Sequence, residues 1–108
     1  NKGVASAAHF GRTMYAADYL NRNSINSSVR SKNIGSRKAL VSKGYTVWGE
    51  EVITIQRGGE FLSTDHLKWF HPERKQILFP SGVPEKYIQG FAKAQIALDK
   101  ARQIVRFL

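Results

Sequence analysis

The chain has 108 residues, no cysteine and a formal net charge of +9, from 17 lysines and arginines against 8 aspartates and glutamates. The lack of cysteine excludes disulfides, thiolate catalysis and cysteine-based zinc sites, and no apolar run reaches the length of about 18 residues that a membrane-spanning helix needs. Because 42% of the residues are hydrophobic, the chain can fill one core. We expect a single domain over residues 1–108, the C-terminal piece of a longer protein.

The positive charge is concentrated in the first part of the chain. Residues 1–44 carry eight basic side chains and one acidic side chain, Asp18. A basic surface of this kind attracts polyanions and speeds their capture. A nucleic acid is therefore the expected partner. A membrane surface is disfavoured, because no predicted helix combines a lysine-rich face with a bulky aromatic face.

The first 44 residues predict helix, loop and helix. Residues 4–23 are expected to form a helix, because apolar residues recur at helical spacing at Phe10, Met14, Ala17 and Leu20. Residues 24–36, SINSSVRSKNIGS, are polar and serine-rich, and we expect a loop that becomes ordered on binding. Residues 37–44 predict one or two turns of helix ended by Gly44.

The middle of the chain is typical of β-structure. Residues 45–57 and 60–70 are rich in β-branched and aromatic residues, and Gly58-Gly59 between them indicates a hairpin with a two-residue loop. Residues 75–80, KQILFP, predict a third strand that ends at Pro80.

The chain ends in a predicted helix from Pro84 to Leu108. The stripe expected to pack consists of Ile88, Phe91, Ala94, Leu98, Ala101, Val105 and Leu108, and a solvated face carries Lys86, Lys93 and Lys100. The fold class is therefore α+β, a small antiparallel sheet of three or four strands with an N-terminal helix and a long C-terminal helix.

The hairpin brings candidate acid–base residues together. With Gly58-Gly59 as the loop, Glu51 faces His66, while Thr64 and Lys68 point to the same side. Metal-free RNA cleavage needs such a set: a base for the ribose 2′-hydroxyl, an acid for the departing 5′-oxygen, and cations for the phosphate. Histidine suits this role because it titrates near neutrality. The alternative is an ordinary cross-strand pair on a solvent-facing sheet, and a slip of one residue would exchange the two faces.

Further candidates lie nearby. His71, in the turn FHPERK, is either a second acid–base group or a turn residue. The catalytic candidates are thus His66, Glu51, Thr64, Lys68, His71 and Asp65, and the candidate RNA contacts are Arg12, Arg37, Lys38, Arg57, Arg74 and Lys75. The rings of Tyr45, Trp48 and Trp69 either stack on bases or fill the core. No metal-binding spacing is present, so neither a metal nor another cofactor is predicted.

The basic, helix-first front half and the stretch VITIQRGGEFLST, followed by another strand, resemble the C-terminal toxin domains of bacterial contact-dependent growth inhibition systems and the tRNA-cleaving colicins. The resemblance covers about Val47 to Pro80. It implies a fold of the barnase/EndoU/colicin/RelE type, with His66, Thr64 and Lys68 on the sheet face that meets RNA. The long C-terminal helix departs from the usual pattern of this group.

The resemblance also implies a biological setting. The domain would be secreted or displayed as part of a larger protein, enter the cytoplasm of a target cell, and cleave tRNA, or alternatively rRNA. An acidic immunity protein would hold it inactive at home, and some relatives need a host activator such as elongation factor Tu. Two alternatives stay open: a non-catalytic RNA- or DNA-binding domain, and a metal-dependent DNase toxin.

Overall fold

The computed structural model describes residues 11, 13, 15–54 and 61–106. Their elements, in chain order, are a π-helical segment (Tyr15–Tyr19), β1 (Ser24–Arg30), α1 (Ile34–Ser42), β2 (Thr46–Thr54), β3 (Phe61–Phe70), α2 (Lys75–Leu78) and α3 (Glu85–Arg106). Within these residues the three strands form one antiparallel sheet in the order β1-β3-β2. The predicted α+β class, with a small antiparallel sheet and a long C-terminal helix, is confirmed.

One face of the sheet packs against helices. Along β3, the side chains of Asp65, Leu67 and Trp69 are buried, while the residues between them are half-buried. This period of two is the expected pattern of a strand with one face on the core. The hydrophobic core joins the two apolar members of this row to Ala17, Leu40, Tyr45, Ala94 and Leu98. Trp69 also donates its indole N–H to the Lys43 carbonyl oxygen at 3.1 Å, which satisfies its polar atom.

Small residues let α3 approach the sheet closely. Gly44 has a φ of +107°, and a Cβ atom there would lie 2.6 Å from the Cβ of Ala94. A Cβ on Gly90 would lie 2.6 Å from Thr46 Oγ1 and 2.8 Å from the Gly44 carbonyl oxygen. The predicted end of α1 at Gly44 is confirmed, and the close packing gives this glycine a second reason.

The first strand corrects a prediction. Residues 24–30 were expected to belong to a loop, but they form β1, and Ser31 donates its backbone N–H to the Ser63 carbonyl oxygen at 2.8 Å. Serine and asparagine have low β-propensity, but pairing of all seven residues of β1 with residues 64–70 of β3 overrides it. Ile25 and Val29, four residues apart, pack against the core from the helix side.

The predicted third strand at residues 75–80 is also wrong. Lys75–Leu78 form the short helix α2, in which the Leu78 N–H bonds to the Arg74 carbonyl oxygen at 3.0 Å. Phe79, which follows it, packs into an aromatic cluster with Phe70, Tyr87 and Phe91. The apolar run in this stretch therefore serves the cluster and not a strand.

The prediction holds better for the C-terminal helix than for the N-terminal helix. The C-terminal helix is confirmed as Glu85–Arg106, with Phe91, Ala94, Leu98 and Ala101 buried and the three predicted lysines exposed. Ile88 was predicted to pack, but it is 54% exposed, and Tyr87 is buried instead. Of the N-terminal helix predicted over residues 4–23, residues 4–10, 12 and 14 lie outside the described residues. The described part is helical at residues 11 and 13 and π-helical over Tyr15–Tyr19, but residues 20–23 are not helical, so the predicted end of the helix is wrong.

Candidate functional site

The face of the sheet opposite the buried row of Asp65, Leu67 and Trp69, here called the open face, holds four of the six catalytic candidates. Its three central rows can be read from the pairing of the strands. They are Asn26–Lys68, Ser28–His66–Gly49 and Arg30–Thr64–Glu51. Thr46 pairs with Lys68 beyond the bulge in β2, but its hydroxyl oxygen lies next to Gly90 of α3. Residues in one row lie about 5 Å apart on the same face. The open face therefore brings together the predicted His66, Glu51, Thr64 and Lys68.

The hairpin register differs from the prediction by two residues. His66 pairs with Gly49 and not with Glu51, while Glu51 pairs with Thr64. A shift of two residues keeps every side chain on its face, since side chains alternate with a period of two. Glu51 and His66 thus still share the open face, as diagonal neighbours. The loop predicted at Gly58-Gly59 lies outside the described residues.

The imidazole of His66 lies at the centre of a polar and aromatic group. Its Nε2 atom is 3.4 Å from Oε2 of Glu51, and its ring centroid is 5.7 Å from that of Trp48. The Lys68 Nζ atom lies 5.2 Å from the centroid of the same indole ring. The His66 side chain is 32% exposed and that of Glu51 is 57% exposed, so both can be reached from solvent. The imidazole therefore contacts both a carboxylate and an exposed indole ring, and an ammonium lies over that same ring.

A β-bulge positions Trp48. Val47 pairs with Leu67 and Gly49 pairs with His66, so Trp48 is the extra residue between them. Its side chain is 48% exposed, whereas Trp69 and Tyr45 are buried in the core. Of the three aromatic residues predicted either to stack on bases or to fill the core, only Trp48 is available on the open face.

Gly49 leaves a hollow beside the imidazole. It lies directly opposite His66, and, leaving aside its chain neighbours Trp48 and Glu50, a Cβ atom built on it would meet no atom within 4 Å. The space between His66, Glu51 and the indole ring of Trp48 is therefore not filled by a cross-strand side chain. A flat or extended ligand can approach the imidazole at this point.

The strand β1 adds three residues that the sequence did not reveal as candidates. Asn26, Ser28 and Arg30 are exposed, and they pair with Lys68, His66 and Thr64. They were missed because the segment was predicted to be a loop. The spacing of Ile25 and Val29 was the available signal, since residues at even spacing share one face of a strand and leave the intervening residues on the other.

Asp65 is separated from the other catalytic candidates, because it lies on the helix face and is 6% exposed. Its carboxylate accepts hydrogen bonds of 2.7 Å from the Ser31 hydroxyl and of 2.7 Å from Arg37 Nη1. These two contacts, that of Ser31 first, hold the pKa of Asp65 below its usual value. Asp65 and Arg37 thus neutralise each other inside the protein, and Asp65 is not brought together with His66.

His71 lies neither on the open face nor beside Asp65. It is 4% exposed and lines a cavity of about 510 Å³ together with Asp18, Glu73, Arg74 and other residues. Its Nδ1 atom accepts the Glu73 backbone N–H at 3.2 Å, and burial lowers the pKa of His71 below its usual value. The ring is therefore neutral at physiological pH and carries its proton on Nε2. Arg74, predicted to contact RNA, donates to the side-chain oxygens of Asn21 and Asn23 at the same cavity.

The other predicted RNA contacts divide into two groups. Lys38 and Lys75 are exposed, and the Nζ atom of Lys75 lies 5.4 Å from the ring centroid of Phe91. Arg12 and Arg57 lie outside the described residues. Within the part of the chain that the structure describes, no group of three or more potential metal-ligating side chains is found. The described helices also include none that is long and apolar enough to cross a membrane.

Comparison with known proteins adds no relative: no family model, no curated protein and no solved structure matches the chain significantly. The candidate site is therefore described by its own geometry.

Proposed function

We propose that the protein is a metal-independent endoribonuclease whose active site is the open face around His66. The observation that carries the proposal is the approach of His66 Nε2 to Glu51 Oε2, 3.4 Å, on an exposed sheet face beside Trp48. The net charge of +9 supports a polyanionic substrate. Two adjacent groups that can exchange protons, with cations around them, form the minimum set for phosphodiester transfer without a metal.

The proposed reaction is an internal transfer within RNA. One member of the His66–Glu51 pair takes the proton of a ribose 2′-hydroxyl, whose oxygen attacks the adjacent phosphorus. The bond between phosphorus and the 5′-oxygen breaks, and the other member of the pair donates a proton to that oxygen. The products are a 2′,3′-cyclic phosphate and a 5′-hydroxyl. Because the 2′-hydroxyl is the nucleophile, DNA is not a substrate.

The remaining groups of the open face have separate roles in this proposal. Lys68 and Arg30 lie one row to either side of His66, where their charges stabilise the negative charge that develops on the phosphate. Thr64, paired with both Arg30 and Glu51, supplies a hydroxyl donor. Trp48 offers its exposed ring to a base next to the bond that is cut.

The test is incubation of the purified protein with total bacterial RNA in EDTA, followed by gel analysis. We expect discrete fragments, and none with His66→Ala. Fragments should end in a 2′,3′-cyclic phosphate, and a substrate with a single 2′-deoxyribose at the cut site should resist. Intact RNA with reduced mobility would instead favour a non-catalytic RNA-binding domain. Cleavage of DNA that EDTA abolishes would favour a metal-dependent DNase.

The biological setting is a further proposal, supported by the resemblance to toxin domains of bacterial competition systems. The substrate in that setting is tRNA or rRNA, and an acidic immunity protein covers the open face of this basic domain. Production of the protein in a bacterial cytoplasm should then arrest growth, and His66→Ala should restore it. A requirement for a host factor such as elongation factor Tu would appear as activity in a cell extract that the purified protein lacks. Growth unaffected by the wild-type protein would contradict a toxic role.

A further inference from the structure

A second cavity lies at the end of the sheet where β1 ends and β3 begins. It has a volume of about 480 Å³, which is within the range of ligand sites, and it is lined by Arg30, Lys32, Asn33, Phe61, Leu62 and Ser63. Two of these residues are cations, and one is an aromatic residue that is 68% exposed. None of the described residues that line the cavity is acidic.

The two cations that line the cavity are not neutralised by carboxylates of the described residues. Within the described residues, neither Arg30 nor Lys32 forms an ion pair, in contrast to Arg37 and Arg102, which pair with carboxylates. The cavity also adjoins the start of α1, where the partial positive charge of the helix dipole has the same sign as these side chains. Among the described residues, the cavity is thus lined by two cations that form no ion pair, which suits a phosphate group, and the Glu50 carboxylate lies beside it as the acceptor of the Ser63 hydroxyl.

The backbone around the cavity is held firmly. Ser31 donates its N–H to the Ser63 carbonyl oxygen at 2.8 Å, and the two hydroxyls lie 2.8 Å apart. Asn33 donates its N–H to the Arg30 carbonyl oxygen at 2.8 Å, and its side chain accepts the Ser36 N–H at 3.1 Å. A ligand would thus meet a wall that is already ordered, which lowers the entropy cost of binding.

The cavity and the proposed active site share Arg30, although Phe61 and Ser63 belong to the other face of β3, the side of Asp65. Arg30 lines the cavity and also pairs with Thr64 in the row next to His66. At about 3.3 Å per residue along β3, Leu62 lies about 13 Å from His66. An RNA strand that places its reactive phosphate at His66 would extend over Thr64 toward the cavity.

We propose that this cavity is a subsite for one nucleotide of the RNA substrate, which binds its base against Phe61 and its phosphate between Arg30 and Lys32. This subsite would bind part of the substrate of the proposed ribonuclease, so the inference rests on that proposed function. The subsite would select where the strand is cut, because it engages a nucleotide beside the reacting one.

The first experiment measures binding without any reaction. Adenosine 5′-monophosphate is titrated into the isotope-labelled protein and followed by NMR, with adenosine and inorganic phosphate as separate probes. We expect the largest shifts at the backbone amides of Lys32, Asn33 and Ser63, and weaker binding of both fragments. Phe61→Ala should weaken binding of the nucleotide about fivefold or more, as expected for loss of a stacked base, whereas Phe61→Tyr should preserve it.

Matched controls separate the subsite from general electrostatics. Lys32→Gln should weaken binding of the nucleotide, while Lys100→Gln, the same charge change on an exposed face of α3, should not. Shifts centred elsewhere, or equal responses to inorganic phosphate and the nucleotide with no effect of Phe61→Ala, would overturn the subsite.

The second experiment uses cleavage of an RNA oligonucleotide. Phe61→Ala and Lys32→Gln should raise KM or change the preferred cut position, with kcat changed less than by His66→Ala. Cleavage with both parameters and the cut positions unaffected would overturn the subsite and leave the ribonuclease intact. Nucleotide binding at the cavity without RNA cleavage would overturn the ribonuclease and support the cavity as a nucleotide site.

Discussion

His66 and Glu51 meet diagonally across two strands, with Nε2 and Oε2 3.4 Å apart, although each is paired with a different residue. The direct partner of His66 is Gly49, which has no side chain. The missing side chain leaves the imidazole free to lean toward the carboxylate on one side and the indole of Trp48 on the other. The pair is exposed, so it contributes little to stability, about 0–1 kcal/mol.

This relationship predicts that the two residues act as a unit in catalysis. His66→Ala and Glu51→Gln should each lower kcat/KM for RNA about 100-fold or more, the usual effect of an acid–base group. The double variant should be little worse than the more damaged single variant, because either change disables the same proton transfer. Steady-state cleavage of a fluorogenic oligoribonucleotide measures kcat/KM for the two single variants and the double variant.

Thermal unfolding provides the control for that prediction. Because the pair is exposed, the melting temperatures of these variants should stay close to that of the wild type. Losses of kcat/KM that multiply in the double variant would mean that the two residues act independently. A large drop in melting temperature would make the loss of activity a folding effect.

The hollow at Gly49 predicts that a larger side chain blocks the site without disturbing the fold. Gly49→Leu should fill the space opposite His66 and raise KM for RNA at least tenfold, since the added atoms meet no neighbour within 4 Å at Cβ. Gly49→Ala, with one added carbon, is the graded control and should have a smaller effect. Full activity of Gly49→Leu would show that substrate does not pass over this part of the open face.

The sequence could predict the shared face but not its details. Alternation of side chains fixes which residues point together, so Thr64, His66, Lys68 and Glu51 were grouped correctly although the register was wrong by two. The bulge at Trp48 has one local signal, Gly49, because a glycine inside a strand often marks a bulge, but the pairing of β2 with β3 decides where the extra residue lies. The contribution of β1 was missed because its serines and asparagine are common in loops, and only pairing with the central strand makes them β-structure.

The fold also separates Asp65 and His71 from the other catalytic candidates that the sequence predicted, and it does so for a physical reason. Asp65 is adjacent to His66 in the chain, and adjacency along a strand means opposite faces. His71 follows the last residue of β3, beyond the open face, and joins a cavity formed with Asp18 and Arg102. Sequence proximity therefore suggested one site, whereas the fold distributes these residues over three places: the open face, the buried face at Asp65 and the cavity at His71.

Asp65 is predicted to support the fold and not the reaction. Asp65→Asn should lower the melting temperature by several degrees, because a buried acceptor of hydrogen bonds from Ser31 and Arg37 loses its charge. The kcat of this variant for RNA, measured at a temperature below its melting transition, should stay within a few-fold of the wild-type value. A loss as large as that of His66→Ala, without loss of stability, would return Asp65 to the catalytic set.

The close approach of α3 to the sheet predicts an unusual cost for alanine in a helix. Gly90→Ala should destabilise the protein, since the new Cβ would lie 2.8 Å from the Gly44 carbonyl oxygen, and overpacking of this kind costs about 1–3 kcal/mol. The gain in helix propensity, about 1 kcal/mol, offsets only part of it. Urea unfolding measures the difference.

Gly35→Ala is the matched control, because this glycine in α1 has no atom within 4 Å of the added carbon. It should stabilise the protein by up to about 1 kcal/mol. Equal effects of the two substitutions would mean that α3 does not pack against the Gly44 backbone as described.

The carboxylate of Glu73 predicts a loss of stability in acid. Arg102 donates to it at 2.8 and 2.9 Å, and these hydrogen bonds lower the pKa of Glu73 from 4.5 to about 2. A carboxylate with a depressed pKa in the folded state stabilises the protein above its usual pKa, and this contribution is lost as the pH falls from about 4.5 toward 2. Since the side chain is 46% exposed, we expect no more than about 1 kcal/mol.

Urea unfolding between pH 6 and pH 2.5 measures this contribution as the difference between the wild type and Glu73→Gln. The variant should be less stable than the wild type near pH 6, and the difference should shrink toward pH 2.5, because protonation removes the same charge that the substitution removes. In a chain that carries Arg102→Gln, the further change Glu73→Gln should have little effect at any pH, since the donor is gone. A difference that stays constant across this pH range would contradict the ion pair as the source of the stabilisation.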